Sequence, residues 1–290
     1  SPGGCLLVTF CYILEGVAML AAKASRRSFL IGGAKLVAGA AIGAGALGTV
    51  AGCQVSSAPP AASESTAKTA ATKQLEAVQW PWPYVELDPK VVAEKGHESY
   101  YVAGCAYGTF NAIISALREK VGEPFTHMPT EMLRFGEGGG VGWATLCGAL
   151  NGSAAAINLV SKDYAKIVNE LIGWYTTTAF PTFKPSKPKV EISVTSVSGS
   201  PLCHVSVTEW CNASGFKAES PERSERCARL AGQVAAHAVE LLNQEASGKF
   251  KASFTPAASV NTCAPCHLKG GTIENARGKM DCVQCHTPHQ

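Results

Sequence analysis

The chain has 290 residues, of which 46% are hydrophobic and 16% charged, and its formal net charge is +3. This length accommodates one sizeable domain with a small appendage once a signal segment is removed. The small net charge, without a basic stripe or interleaved basic and aromatic residues, argues against a nucleic-acid partner. No serine-histidine-acid set, paired carboxylate site or phosphate-binding loop stands out, which argues against a hydrolase.

The first 52 residues have the features of an export signal. Residues 25–30 (SRRSFL) form a twin-arginine core, and a weakly apolar, Ala/Gly-rich run follows to about Val50. The glycines and short side chains of that run bury too little apolar area for a stable membrane span. Residues 1–18 precede Met19, and we expect them not to be native. The sequence therefore predicts a periplasmic protein exported by the twin-arginine route.

Residues 53–79 form a predicted tether, rich in Ser, Ala and Pro and too poor in large apolar groups to pack. The residues around Gly52 and Cys53 (VAGC) resemble a lipobox, in which Cys53 would be acylated and become the mature N-terminus. The alternative is cleavage near Gly52 or Ala62, which leaves a soluble periplasmic protein. One acyl chain binds a membrane only marginally, so anchorage through Cys53 would need more than one chain.

Residues 80–250 are predicted to form a mainly α-helical body. Helices are expected where apolar residues recur at three- and four-residue steps, over residues 104–120, after Pro129, and over 145–159, 162–179 and 220–245. Residues 94–101 (EKGHESYY) are expected to be flexible, and the alternating residues 190–197 (VEISVTSV) predict a short strand or extended arm.

Five cysteines of the body stand outside any haem motif: Cys105, Cys147, Cys203, Cys211 and Cys227. Cys105 and Cys147 open predicted helices, where the helix dipole favours the thiolate, the form that binds metal or reacts. Iron-sulfur centres use thiolates from several elements, so these cysteines are candidate cluster ligands. Disulfides are an alternative, although five cysteines cannot pair completely, and inert buried thiols are a third.

Residues 251–290 form a predicted short, irregular tail that contains Cys-x-x-Cys-His twice. The fifteen residues between Cys266 and Cys282 also fit a zinc ribbon, but a four-thiolate site needs no adjacent histidine. In a c-type haem site the two thiols form thioethers and the imidazole binds the iron. We therefore predict two haem c groups per chain, attached through Cys263, Cys266, Cys282 and Cys285, with His267 and His286 as the proximal iron ligands.

The distal iron ligands have six candidates: His97, His127, Met128, His204, His237 and His289. His237 lies in a helical stretch among alanines, where a packed or surface histidine is the commoner interpretation. His97 precedes the Cys105 helix and His204 adjoins Cys203, which would couple a haem to a cluster. We favour His97 and His204.

Four stretches of the body resemble, in order, the redox-associated family known by its Cys-Gly-Cys-Ala signature and two later cysteines. They are GCAYGTFNAI, GEGGGVGWATLCGALNGSAAAINL, SPLCHVSV and ERCARLAGQVAAHAVELL. Combined with two C-terminal haem motifs, the arrangement resembles the split-Soret cytochromes c of sulfate-reducing and related anaerobic bacteria. The resemblance covers roughly residues 100–286.

This resemblance implies a homodimer with two haems per subunit grouped at one end, and an iron-sulfur centre held by the helical body. The matching cysteines are Cys105, Cys147, Cys203 and Cys227, with Cys211 extra to the pattern. The tail has few large apolar residues to cover its haems, which also favours a second subunit. We expect one-electron transfer to redox partner proteins; the alternative is a redox enzyme with one open haem site.

Overall fold

The structure is a computed structural model that describes residues 78–289. The predicted export signal, Cys53 and almost all of the tether lie outside these residues. Six α-helices follow one another in the described part: α1 (Pro89–Val121), α2 (Gly148–Val160), α3 (Tyr164–Thr177), α4 (Cys203–Ser214), α5 (Pro221–Ala246) and α6 (Ala258–His267). Short 3-10 turns span Phe125–His127, Thr130–Gly136 and Cys282–Gln284, and two-residue strands β1 (Ala179–Phe180) and β2 (Ser196–Val197) pair antiparallel. The predicted mainly α fold is confirmed.

Helix α1 is longer than the sequence predicted. The expected flexibility of residues 94–101 is wrong, because this segment is the first half of α1. A kink at Ala103 and Gly104 separates the two halves, and Gly104 adopts φ 77°, a value that favours glycine. Cys105 consequently opens a new helical run, as the sequence indicated.

The core lies where α1 packs against α5, with α2 and α3 on its flanks. Gly96 and Gly232 allow the two long helices to approach closely, since a methyl group at Gly96 would lie 2.8 Å from the Gly232 Cα atom. Large apolar side chains fill the remaining space, each contributing about 1.5–3 kcal/mol by burial. Those without solvent exposure include Ile113, Ile114, Leu117, Leu150, Ile157, Ile167, Leu171 and Leu242.

Three further elements differ from expectation. The segment after Pro129 is a 3-10 turn and not an α-helix, α4 was not predicted, and the tail contains the ten-residue helix α6. Helix α5 begins as predicted, because the Ser220 side chain accepts a hydrogen bond from the Arg223 N–H and Pro221 occupies the first helical turn. None of the helices within residues 78–289 is long and apolar enough to cross a membrane.

Candidate haem and metal sites

Four body cysteines lie at the starts of helical segments that meet. Cys105 follows the kink of α1, Cys147 is the N-cap of α2, Cys203 begins α4, and Cys227 lies in the second turn of α5. Cys105, Cys147 and Cys227 are buried and Cys203 is partly buried. Each of these side chains lies close enough to at least one other to influence its charge.

Backbone hydrogen bonds hold Cys147 and Cys203 side by side. The Cys147 N–H donates to the Pro201 carbonyl at 2.9 Å, and the Cys203 N–H donates to the Thr145 carbonyl at 2.7 Å. Leu146 and Leu202, which lie between these two hydrogen bonds, form an isolated antiparallel β-bridge. These backbone bonds therefore hold the glycine-rich segment before α2 against the segment before α4, next to the two thiols.

Cys105 and Cys227 influence each other's ionisation through hydrogen bonding between their thiols. That bond, together with burial, raises the pKa of Cys105 well above its usual value. The same bond lowers the pKa of Cys227 well below its usual value, with help from the Arg226 and Arg223 guanidinium groups and against the effect of burial. Of the two thiols, Cys227 is therefore the more acidic.

Burial opposes ionisation of the other two thiols, Cys147 and Cys203. Burial raises the pKa of Cys147, and burial followed by the charges of Cys147 and Cys227 raises the pKa of Cys203 to about 12. Metal binding requires deprotonated cysteine, so loading this site would release protons.

Arg226 is a buried cation beside this group of thiols, and no sequence pattern pointed to it. Its exposure is 1%, its Nη2 donates to the Ser206 hydroxyl at 2.8 Å, and its Nη1 lies 3.8 Å from the Cys227 sulfur. Its Nε has no hydrogen-bond partner within the described residues. The pKa of Arg226, which burial lowers, is raised overall by Cys227, Tyr175 and Cys147, none of them a carboxylate.

A buried charge without compensation costs on the order of several kcal/mol. The negative charge near Arg226 must therefore come from sulfur, which fits a thiolate-bound metal centre. Within residues 78–289 no three His, Cys, Asp or Glu side chains are grouped to hold a single ion. An iron-sulfur cluster differs from a single ion in distributing its thiolates over several irons.

Cys211, which is extra to the pattern of the resemblance, lies further along α4 than Cys203. It lies on α4 eight residues after Cys203, about 12 Å along the helix axis, and is partly exposed. It is still near enough to Cys227 for that thiol, in addition to burial, to raise its pKa.

The two haem motifs lie side by side in the tail. The first ends helix α6, and the second begins the 3-10 turn at Cys282. The Ser259 hydroxyl donates to the Asp281 carboxylate at 2.5 Å and accepts from the Cys282 N–H at 3.3 Å. Burial and the neighbouring Cys263 thiol raise the pKa of Cys282. Haems attached to these motifs would be neighbours.

His267 is oriented as an iron ligand would be. Its Nδ1 lies 2.9 Å from the Asn275 side-chain oxygen, which can only accept, so Nδ1 carries the proton. The lone pair of Nε2 is then available, which is the usual arrangement of a metal-bound histidine and its supporting hydrogen bond. His289 packs edge-on against His267 with ring centroids 5.6 Å apart, and His286 is exposed.

His97 occupies a buried polar network in the body. Its Nε2 lies 3.1 Å from the Glu225 carboxylate, which also accepts from Tyr101, from Arg229 Nε at 2.7 Å and from the Lys189 N–H at 3.1 Å. Burial opposes the charge of Glu225, but the bonds from Arg229 and Tyr101 lower its pKa. A bond from His97 to iron through Nε2 would require the bond to Glu225 to open.

His204 lies beside Cys203 at the start of α4. Its side chain is exposed, and its N–H donates to the Ala144 carbonyl at 3.1 Å. The predicted distal pair, His97 and His204, therefore consists of one histidine enclosed in the body and one on its surface.

A cavity of about 900 Å³ separates the tail from helices α3 and α5. Its walls include Trp174, His237, Leu241, Phe254 and Met280. Both its size and its largely apolar lining suit a cofactor. The sequence offered one signal for this site, a histidine followed by Glu240 three residues later on a predicted helix.

Two Cys-x-x-Cys-His motifs in a tail, attached to a helical body with four meeting thiols, define a c-type cytochrome with a second cysteine-based site. Residues 107–241 match the family described as "Putative redox-active protein (C_GCAxxG_C_C)".

The chain is also 39% identical, over 216 residues, to split-Soret cytochrome c of Desulfovibrio desulfuricans (strain ATCC 27774 / DSM 6949 / MB), a match that covers 71% of this chain and 77% of the relative. A solved structure of split-Soret cytochrome c from Desulfovibrio desulfuricans ATCC 27774, described as having a novel iron centre, shares 38% identity with a TM-score of 0.67. It covers 72% of this chain and 91% of its own. The chain belongs to the split-Soret cytochrome c family, which confirms the resemblance and gives it the electron-transfer role of a cytochrome.

Proposed function

We propose that this protein is a periplasmic electron carrier with two haem c groups and an iron-sulfur centre in each chain. The observation that carries the proposal is the pair of adjoining haem motifs, joined by the hydrogen bonds of Ser259 with Asp281 and Cys282. Bound haem supplies one-electron chemistry, in which iron alternates between its ferric and ferrous states. Adjoining haems are suited to passing an electron from one to the other.

The tail residues have separate parts in this proposal. Cys263, Cys266, Cys282 and Cys285 anchor the two porphyrins, and His267 and His286 bind the irons. Asn275 fixes the tautomer of His267, because its amide oxygen accepts the Nδ1 proton. The fixed ring keeps the iron in one ligand geometry through both redox states, which limits the rearrangement that accompanies electron transfer.

The iron-sulfur centre is proposed at Cys105, Cys147, Cys203 and Cys227. Three observations support it: the thiols come from four different segments, the Cys227 thiol is already acidic, and Arg226 is buried without a carboxylate. The novel iron centre attributed to the solved relative gives further support. The alternative of disulfides would leave the charge of Arg226 uncompensated.

Chemical analysis of the purified holoprotein tests the proposal. The pyridine haemochrome assay should give two haems per chain, and acid-labile sulfide should be present with iron in excess of the haem iron. Cys147→Ser should abolish the sulfide, whereas the matched control Cys211→Ser should retain it. Equal sulfide in both variants, or none in the wild type, would contradict the placement of the centre.

An absorption spectrum with carbon monoxide separates the carrier from the alternative redox enzyme. A carrier should have two low-spin haems that do not bind the gas rapidly, because both axial positions of each iron are filled. Rapid binding by one haem would favour an enzyme with an open iron site.

The proposals for the oligomeric state and the cellular location rest on the sequence. We propose a homodimer, in which a second subunit helps to cover the haems of the sparsely apolar tail. Export by the twin-arginine route and anchorage through Cys53 concern residues outside the described range.

A further inference from the structure

A short stretch of backbone, residues 199–203, joins the tail to the cysteine site of the body, and we call it the linking segment. Its first residue contacts the second haem motif, since a methyl group at Gly199 would collide with the side-chain amide nitrogen of Gln284. Gln284 lies between Cys282 and Cys285, so the haem motif itself makes this contact. Gly199, Pro201 and Gln284 also line the cavity between body and tail, whereas no residue of the first haem motif does.

The other end of the linking segment reaches the cysteine site. Cys203 is its last residue, and the Pro201 carbonyl accepts a hydrogen bond from the Cys147 N–H at 2.9 Å. Both cysteines are therefore connected to Gly199. Cys203 is reached along the covalent backbone, and Cys147 is reached through a single hydrogen bond.

Hydrogen bonds hold the linking segment in one conformation. The Gly199 N–H donates to the Thr176 carbonyl at 2.9 Å. Ser198 and Ser200 are buried, and the Ser198 hydroxyl donates to the Ser200 carbonyl at 2.8 Å. Gly199 adopts φ 65°, a value that favours glycine, and this brings its backbone directly against the tail. A segment fixed in this way keeps its two ends at a constant separation.

A second connection from the cavity ends before it reaches a sulfur atom. Trp174 lines the cavity, and the next residue, Tyr175, is buried with its hydroxyl close enough to Cys147 to favour ionisation of that thiol. This connection stops at the tyrosine hydroxyl, whereas the linking segment ends in a cysteine. Electrons couple more strongly along covalent bonds and hydrogen bonds than across gaps between atoms, which favours the linking segment.

We infer that residues 199–203 carry electrons between the haem attached through Cys282 and Cys285 and the iron-sulfur centre of the body. The inference rests on the proposed function, since it requires both groups. One electron moves in each step: the group that gives it is oxidised, the group that receives it is reduced, and no bond forms or breaks. The haem at the first motif then exchanges electrons with the centre through the second haem.

Pulse radiolysis of the oxidised holoprotein tests this route. The radiolytic radical, a one-electron reductant, reduces a haem, and the absorbances of haem and iron-sulfur centre then follow the redistribution of that electron. We expect a phase whose rate is independent of protein concentration and is several-fold slower in Gly199→Ala, because the added methyl group displaces Gln284. The matched control is Gly215→Ala, since Gly215 has a similar φ of 75° but nothing lies within 4 Å of an added methyl group. Equal rates in the two variants would overturn the inference.

A second pair of variants keeps the inference testable if Gly199→Ala folds poorly. Gln284→Ala removes the tail side of the contact without backbone strain, and the exposed Gln79→Ala is its control. Gln284→Ala alone should slow the phase and should also increase hydrogen exchange of the backbone amides of residues 199–203. An unchanged rate in Gln284→Ala would overturn the inference.

Removal of the second haem gives the remaining arm of the test. The phase should disappear when Cys282 and Cys285 are replaced by alanine, and its persistence would overturn the inference. A wild-type protein without acid-labile sulfide, or without two haems per chain, would instead contradict the proposed function.

Discussion

At Arg226 the protein keeps a positive charge at 1% exposure without a carboxylate beside it. Such a residue is costly to stability unless a negative charge is nearby, so we expect the adjoining cysteine site to supply that charge. The acidic thiol of Cys227 is one contribution to that negative charge, and a thiolate-ligated cluster would supply more. Sequence reasoning found the cysteines but not the arginine, because an Arg before a Cys on a helix has no distinctive pattern.

Replacing Arg226 should alter the potential of the proposed iron-sulfur centre. Arg226→Gln removes a cation that favours the more negative, reduced state, so the midpoint potential of the centre should fall while the haem potentials stay unchanged. The control is Arg134→Gln, which removes the same kind of cation from another place. Arg134 lies over the Tyr107 ring. Potentiometry followed by electron paramagnetic resonance measures the shift, and an unchanged potential in Arg226→Gln would contradict the role of this charge.

Glu225 should make stability dependent on pH in the acid range. Its pKa is lowered from 4.5 in the folded protein, so its contribution is present above the unfolded value and is lost as pH falls through the folded value. Glu225→Gln should cost about 1–3 kcal/mol at neutral pH, because charged hydrogen bonds to Arg229 and Tyr101 are weakened.

Urea unfolding at pH 7 and below pH 4.5 checks this expectation. The difference between wild type and Glu225→Gln should shrink on acidification, whereas exposed Glu98→Gln should behave as the wild type at both pH values. A difference that is independent of pH would show that the Glu225 charge does not stabilise the fold.

Helix α1 illustrates how far elements can be predicted from this sequence. The run after Gly104 was predictable, since Phe110, Ile113 and Leu117 follow helical periodicity. The first half was not, because its stability depends on the close contact of Gly96 with Gly232, which no local pattern records. The cysteines were likewise predictable, because they lie in recognisable motifs. The position of His237 in the cavity wall was not, because it depends on tertiary structure.

Gly96→Ala should destabilise the protein through the crossing of α1 and α5. The added methyl group would lie 2.8 Å from the Gly232 Cα atom, and overpacking of this kind costs about 1–3 kcal/mol. Gly278→Ala is the matched control, because nothing lies within 4 Å of a methyl group at that position. Thermal unfolding followed by circular dichroism should show a lower midpoint for Gly96→Ala alone, and equal midpoints would argue against a tight crossing.

At the scale of the whole molecule, we propose an order of assembly in which the helical body folds first and the haems are attached to the tail after export. Twin-arginine export carries folded proteins, which suits a centre built into the body, and both haem motifs follow that body in a tail. Few large apolar residues occur in the tail, so attachment can follow folding. Because the tail itself has few large apolar residues, the haem faces would need apolar cover from elsewhere. The cavity wall and a second subunit would supply it.

Export of the folded body predicts a specific dependence on the signal. Replacing Arg26 and Arg27 with lysine should sharply reduce the amount of periplasmic holoprotein, because the twin-arginine core is lost while the charge is kept. Fractionation with haem staining measures the result. Unchanged periplasmic holoprotein would contradict the twin-arginine route.

We propose that the tail of each chain carries two covalent haems. The most direct test is the haem-to-chain ratio by pyridine haemochrome after denaturation and removal of unbound haem. We predict a ratio of two for the wild type and of one when Cys282 and Cys285 are replaced by alanine. A wild-type chain with no covalent haem, or with zinc in the tail, would contradict the account.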